Sequence, residues 1–195
     1  MKKKLLSAVF SLILICLVTV PSLAVVSQST AYYVADYAGV LSDALEQQII
    51  DSNADLEKKC DGAQIVVVTV DYLDGMHTDE YAMQLFNDWG VGNADRNDGV
   101  MLLVARYDRK LRIEVGSGYG STKNAPMKDI IDDVIVPRFK NDDYIGGIDA
   151  GVDAVIFDLT GSYPGEYDAN LARKMMNRGK RFLDWIGGWI FVILA

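Results

Sequence analysis

The segment GVGNADRNDGVMLLVARYDRKLRIEVGSGYG, residues 90 to 120, constrains the fold more than any other stretch. Asp98-Gly99 leads into an apolar run from Val100 to Ala105, and Tyr107-Asp108-Arg109-Lys110 reads as a turn. Leu111, Ile113 and Val115 then alternate with Arg112 and Glu114, so the pattern predicts a β-hairpin. In an antiparallel pair the chain leaving Val115 lies beside the chain entering Val100, which puts Gly116 to Gly120 next to Asn93 to Asp98. Two glycine-rich loops and several acidic groups therefore meet at one edge.

The preceding residues supply the rest of a layered domain. Ser42 is suited to cap a helix that carries Asp43 in its first turn, shows Leu45, Ile49 and Leu56 at helical spacing, and ends at Asp61-Gly62. Gln64 to Val70 is a short run rich in valine and isoleucine, as in a buried central strand. Thr78-Asp79-Glu80 opens a second helix whose Tyr81, Met83, Leu85, Phe86 and Trp89 precede Gly90. Strand, helix and the strand Val100 to Ala105 predict a right-handed parallel crossover, and the hairpin adds an antiparallel edge. Two helical stretches follow, Pro126 to Phe139 and Asp143 to Leu159. The expected fold is an α/β three-layer sandwich with a mixed, mainly parallel sheet, spanning residues 31 to 160.

The ends of the chain point to a membrane. Lys2 to Lys4 precede an apolar stretch from Leu5 to Val20 and small residues around Ala24, so residues 1 to 24 read as a signal peptide or an uncleaved N-terminal anchor. Either leaves the domain on the outer side. Cleavage would leave Cys60 as the sole cysteine and exclude an intrachain disulfide. Residues 161 to 181 read as a linker and a basic juxtamembrane segment. Phe182 to Ala195 reads as the start of a membrane helix, shorter than the roughly 20 apolar residues a span needs, and is expected to continue. Residues 25 to 171 hold 26 acidic and 11 basic residues, a formal charge of −15. Such a domain repels nucleic acid and attracts divalent cations or basic partners.

Asp36-Tyr37-Ala38-Gly39-Val40-Leu41, Gly62 to Val70, Trp89-Gly90-Val91-Gly92, Asp98-Gly99-Val100-Met101-Leu102-Leu103-Val104, Arg112-Ile113-Glu114-Val115-Gly116 and Gly118-Tyr119-Gly120 occur in this order. The series resembles the TPM domain family over essentially all of residues 31 to 160. That family includes a thylakoid lumen protein of photosystem II repair, a modulator of acetylcholine receptors and many membrane-anchored bacterial proteins. The resemblance implies a Rossmann-like sandwich outside the cytoplasm, with weak acid phosphatase activity and calcium binding in some members. This chain departs from the pattern after Gly120, where Ser121 to Pro126 replaces an acidic residue, a glycine and a leucine, although Asp129 matches a later aspartate. Lys123 then stands in a loop where a carboxylate would hold metal.

The residues suited to hold calcium are Asp95, Asn97, Asp98, Glu114 and Asp129, with Asp36 contributing from the N-terminal loop, because Ca²⁺ takes carboxylate, amide and main-chain oxygens. The bland alternative is a solvated turn with Glu114 facing water. Gly116 to Gly120 lacks the Gly-Lys-Ser/Thr of a phosphate loop, so flexible turn glycines account for it better. In a phosphatase, Arg112 or Lys123 would contact phosphate. His77 reads as a capping or surface residue, and Asp132-Asp133 and Asp142-Asp143 as solvated helix faces and caps. The functional expectation is a membrane-tethered extracytoplasmic module that binds a membrane or envelope protein, with a metal-dependent acid phosphatase as the alternative.

Overall fold

The computed structural model describes residues 25 to 160. The segments expected as signal, linker and membrane helix, residues 1 to 24 and 161 to 195, lie outside the described residues. Within them no helix is long and apolar enough to cross a membrane. The chain forms β1 (Val34–Asp36), α1 (Asp43–Lys59), β2 (Gln64–Val70), α2 (Thr78–Trp89), β3 (Gly99–Ala105) and β4 (Lys110–Val115). A 3₁₀ turn, α3 (Asn124–Ile130), a π-turn (Ile131–Ile135), α4 (Val136–Phe139) and α5 (Tyr144–Thr160) complete it.

Local chemistry sets the helix ends. Ser42 Oγ accepts the Leu45 N–H at 3.3 Å and starts α1, while Gly90 adopts the left-handed conformation that stops α2. His77 occupies the cap position of α2 without a side-chain capping bond. Asp143 caps α5, its Oδ1 accepting the Gly146 N–H at 2.9 Å. The stretch expected as one helix from Pro126 to Phe139 is helical throughout, but widens in the middle, where the Val136 N–H bonds Ile131 O. Pro137 follows directly. Its ring crowds the Asp133 carbonyl and it has no N–H to donate, and a π-turn relieves both demands.

The sheet runs β1-β2-β3-β4, with the first three strands parallel and β4 antiparallel at the edge. All of β3 and nearly all of β2 are buried, because helices cover both faces. Ile65, Val67, Val100, Leu102 and Val104 pack against α1, α3 and α5. Val66, Val68, Met101 and Leu103 pack against Tyr81, Leu85 and Trp89 of α2. Each such aliphatic side chain contributes about 1.5–3 kcal/mol by leaving water. Asn53, buried in α1, donates to Ile49 O and Ile65 O and accepts the Ile65 N–H at 2.8 Å, tying the helix to the start of β2.

The parallel strands lie side by side in chain order, yet α1 and α2 cover opposite faces. The two crossovers therefore have opposite hands, and only one follows the right-handed preference. This places a topological switch between β1 and β2, where the loops leaving their carboxyl ends diverge to opposite faces.

The expected meeting of the glycine loops is present. Val100 pairs with Val115, the Gly116 N–H bonds Gly99 O at 2.8 Å, and the Gly118 N–H bonds Asn97 O at 2.9 Å. A β-carbon on Gly118 would lie 1.9 Å from Arg96 O, and one on Gly116 would lie 2.0 Å from Asn97 O. Gly118→Ala should therefore cost about 1–3 kcal/mol, read as a lower urea midpoint at constant slope. An unchanged midpoint would show that the loops do not touch.

Among the described residues Asp153 on α5 carries the most perturbed carboxyl group. Burial and then the nearby Asp149 charge push its pKa up to about 7, and its Oδ1 is buried without a hydrogen-bond partner. Between about pH 4 and 7 the folded chain keeps a proton that the unfolded chain has released, so this group's contribution to stability falls as pH rises through that window. Asp153→Asn should match the parent near pH 4 and exceed it at pH 8 by about 1–2 kcal/mol once solvent screening is allowed for. Melts at both pH values that shift equally would contradict this.

Candidate functional site

The two ends of the parallel strands present different chemistry. At the amino ends Asp98 is almost buried, and its two carboxylate oxygens are occupied: Oδ1 accepts the Asn93 N–H at 3.0 Å and Oδ2 accepts from Arg96 Nε at 2.7 Å. Asn93 Oδ1 in turn accepts the Asp95 N–H at 2.9 Å, so the loop is closed from inside. Asn97 holds a positive φ of 50° and gives its carbonyl to Gly118. Tyr119, in the facing loop, has its pKa pushed up to about 12 by burial and then by the Asp98 charge.

The residues expected to share a calcium ion are spread over the fold. Asp95, Asn97 and Asp98 stay together in one turn. Glu114 pairs with Met101 across the hairpin and its Oε2 accepts from Arg112 Nε at 3.0 Å, while Arg112 also reaches Asp79 of α2 at 3.0 Å. Asp129 is exposed on α3. Asp36 lies at the opposite end of the sheet: it pairs with Thr69, whereas Gly99 pairs with Gln64, five residues or about 17 Å along β2. Among the described residues no group of three or more His, Cys, Asp or Glu side chains is close enough to hold a metal ion. Lys123 Nζ bonds the Asp158 carboxylate at 2.7 Å and the Asp158 carbonyl at 2.8 Å, docking the loop on the end of α5.

At the carboxyl ends Asp36 acts as a clamp. It accepts the Val40 N–H at 3.1 Å, the Leu41 N–H at 2.9 Å and the hydroxyl of buried Thr69, whose Oγ also accepts the Ala38 N–H at 3.2 Å. These bonds fix the loop that leaves β1 at the switch. The chain carries a charged residue followed by a second residue of recurring type at the carboxyl end of each parallel strand, Asp36 being the last residue of β1: Asp36-Tyr37, Asp71-Tyr72 and Arg106-Tyr107. The second member is always an exposed tyrosine, at 48%, 54% and 55% of full exposure.

These side chains continue into a row across the edge. The Tyr72 and Tyr107 rings lie 5.2 Å apart, the Arg106 guanidinium sits 5.2 Å from the Tyr107 ring and 5.9 Å from that of Tyr144, and Tyr144 meets Phe139 at 4.8 Å. Two grooves open beside Tyr144. One, of about 220 Å³, runs between Gly39, Arg106 and Ile145. The other, of about 320 Å³, has Val104, Leu111, Val136 and Phe139 in its walls, with Arg109, Lys110 and Lys140 among its lining. None of these positions belongs to the expected calcium set. The signal in the sequence was the recurring tyrosine after a charged residue, which becomes meaningful once ligand binding is expected beyond the carboxyl ends of parallel strands.

The clamp gives a direct check. Asp36→Ala would leave two loop N–H groups and the Thr69 hydroxyl without their acceptor and should cost about 1–3 kcal/mol, whereas Asp95→Ala, on an exposed turn, should stay within about 0.5 kcal/mol of the parent. Equal effects in chemical unfolding would remove the distinction between a structural and a free carboxylate.

Comparison with known proteins agrees with this architecture. The sequence matches the TPM domain family over residues 34 to 157. The fold is similar to the solution structure of the N-terminal domain of a protein from P. gingivalis, with TM-score 0.59 and 25% identity over 71% of this chain and 90% of that one. It is also similar to the N-terminal domain of the cg2496 protein from Corynebacterium glutamicum, with TM-score 0.52 and 20% identity over 73% and 92% of the two chains. The BA42 protein from Bizionia argentinensis gives TM-score 0.53 and 23% identity over 66% and 87%. Among curated proteins none matches the chain. With the family matched across both sheet faces and both loop clusters, this chain belongs to the TPM domain family.

Proposed function

We propose that the chain is a membrane-tethered extracytoplasmic binding module that assists assembly, repair or regulation of an envelope complex, and that the carboxyl edge of its sheet is the face that meets the partner. The observation that carries this reading is the row of Tyr72, Tyr107, Arg106 and Tyr144 beside two open grooves. Tyrosine and arginine dominate the energetics of protein interfaces because they offer large contact area with few rotatable bonds. The apolar segments at both ends of the sequence support a tether that holds this face near other membrane proteins. A phosphatase at the glycine-loop edge would ask Asp98 to bind an ion with oxygens that already serve Asn93 and Arg96.

A photoreactive amino acid placed at Tyr72 or Ile145 in intact cells should cross-link to one discrete envelope protein, and the same group at exposed Lys58 on α1 should not. Cross-links absent from the carboxyl edge, or equal at all three positions, would overturn the reading. So would phosphomonoester turnover by the purified chain that Asp98→Asn abolishes.

A further inference from the structure

The cations of this acidic domain are sorted by position. Lys59, Arg96, Arg112, Lys123 and Lys128 each lie within ion-pair distance of a carboxylate. Among the described residues Lys58, Arg106, Arg109, Lys110, Arg138 and Lys140 do not; of these six, Arg106, Arg109, Lys110 and Lys140 line the grooves at the carboxyl edge, while Arg138 donates to Val134 O and Lys58 stands exposed on α1. Cations gathered at one edge without a carboxylate partner among the described residues form a localised positive feature that an outside anion can neutralise.

We infer that the groove between the hairpin turn and α4 docks an extended, acidic segment of a partner protein, with carboxylates meeting Arg109, Lys110 and Lys140 and an apolar side chain entering between Leu111 and Phe139. The geometry favours a segment over a small anion. The three cations come from two separate elements, the hairpin turn and the end of α4, and share the groove with the apolar walls Val104, Leu111, Val136 and Phe139, which a single phosphate would leave uncovered. A flat anionic lipid surface meets a different obstacle. It would press against the exposed Asp71, Asp74, Asp142 and Asp143 of the same edge, whereas a single extended strand can lie in the groove with only Asp142 beside it. Arg106, held against Tyr107 and Tyr144, extends the cationic track toward the second groove.

This inference rests on the carboxyl edge being the partner-binding face, and its test separates the two. The full-length chain in neutral detergent is titrated against a fluorescein-labelled peptide in which glutamates alternate with leucine and serine, followed by fluorescence anisotropy. Binding should weaken with added salt, and Lys110→Glu combined with Lys140→Glu should weaken it at least about tenfold while leaving the melting temperature and Lys58→Glu binding unchanged. A lysine version of the peptide should not bind. The inference fails if charge reversal has no effect, if the lysine peptide binds equally, or if inorganic phosphate displaces the peptide at similar concentration. It also fails if vesicles rich in anionic lipid bind the parent and lose binding in the double variant. Discrete cross-links from Tyr72 without acidic-peptide binding would overturn only the partner's chemistry, whereas loss of those cross-links removes the binding face itself.

Discussion

Burial of the two central strands on both faces is the constraint on which the rest of the structure depends. β2 and β3 are so apolar that neither face can be left to water, and α1 and α5 must therefore cover one side while α2 covers the other. With β1, β2 and β3 in chain order, covering both faces forces the connecting helices apart and creates the switch between β1 and β2. The switch is thus a consequence of how the core is sealed. The Asp36 and Thr69 clamp then holds the loop that leaves β1, the Asp36 carboxylate accepting the Val40 and Leu41 N–H groups and the Thr69 hydroxyl.

The domain separates structural polarity from available polarity. At the amino ends of the strands, Asp98, Arg96 and the close-packed glycines satisfy one another and lock two loops together. At the carboxyl ends, exposed Tyr72 and Tyr107 and half-buried Arg106 and Tyr144 lean on each other, and Arg106 has no ion pair among the described residues. Interactions of the first kind stabilise the fold, and those of the second kind leave free energy to be gained on association.

Much of this order was legible in the residues. The apolar runs Gln64 to Val70 and Val100 to Ala105, the alternation through Leu111 to Val115, the Ser42 cap and the Gly90 stop all correspond to the observed elements, because each rests on local periodicity or a local backbone preference. The three residues of β1 are too few to show a period, and the π-turn before Pro137 depends on a backbone detail that leaves the apolar pattern unchanged. The candidate site was harder to read. Acidic density drew attention to Asp95, Asn97, Asp98, Glu114 and Asp129, yet sequence proximity did not reveal that Arg96 and Arg112 pair with two of them. Tyr72, Tyr107, Tyr144 and Lys140 come together only through parallel pairing and the return of α5, which are long-range consequences of the fold.

The central claim is that the carboxyl edge, and not the glycine-loop edge, is the working surface. Hydrogen–deuterium exchange of the full chain in native membranes, compared with the same chain in neutral detergent, measures this directly. Added protection confined to residues 70 to 74, 106 to 111 and 139 to 145 is the result the account predicts. Protection centred on residues 93 to 98 and 116 to 120, with the carboxyl edge unchanged, would contradict it.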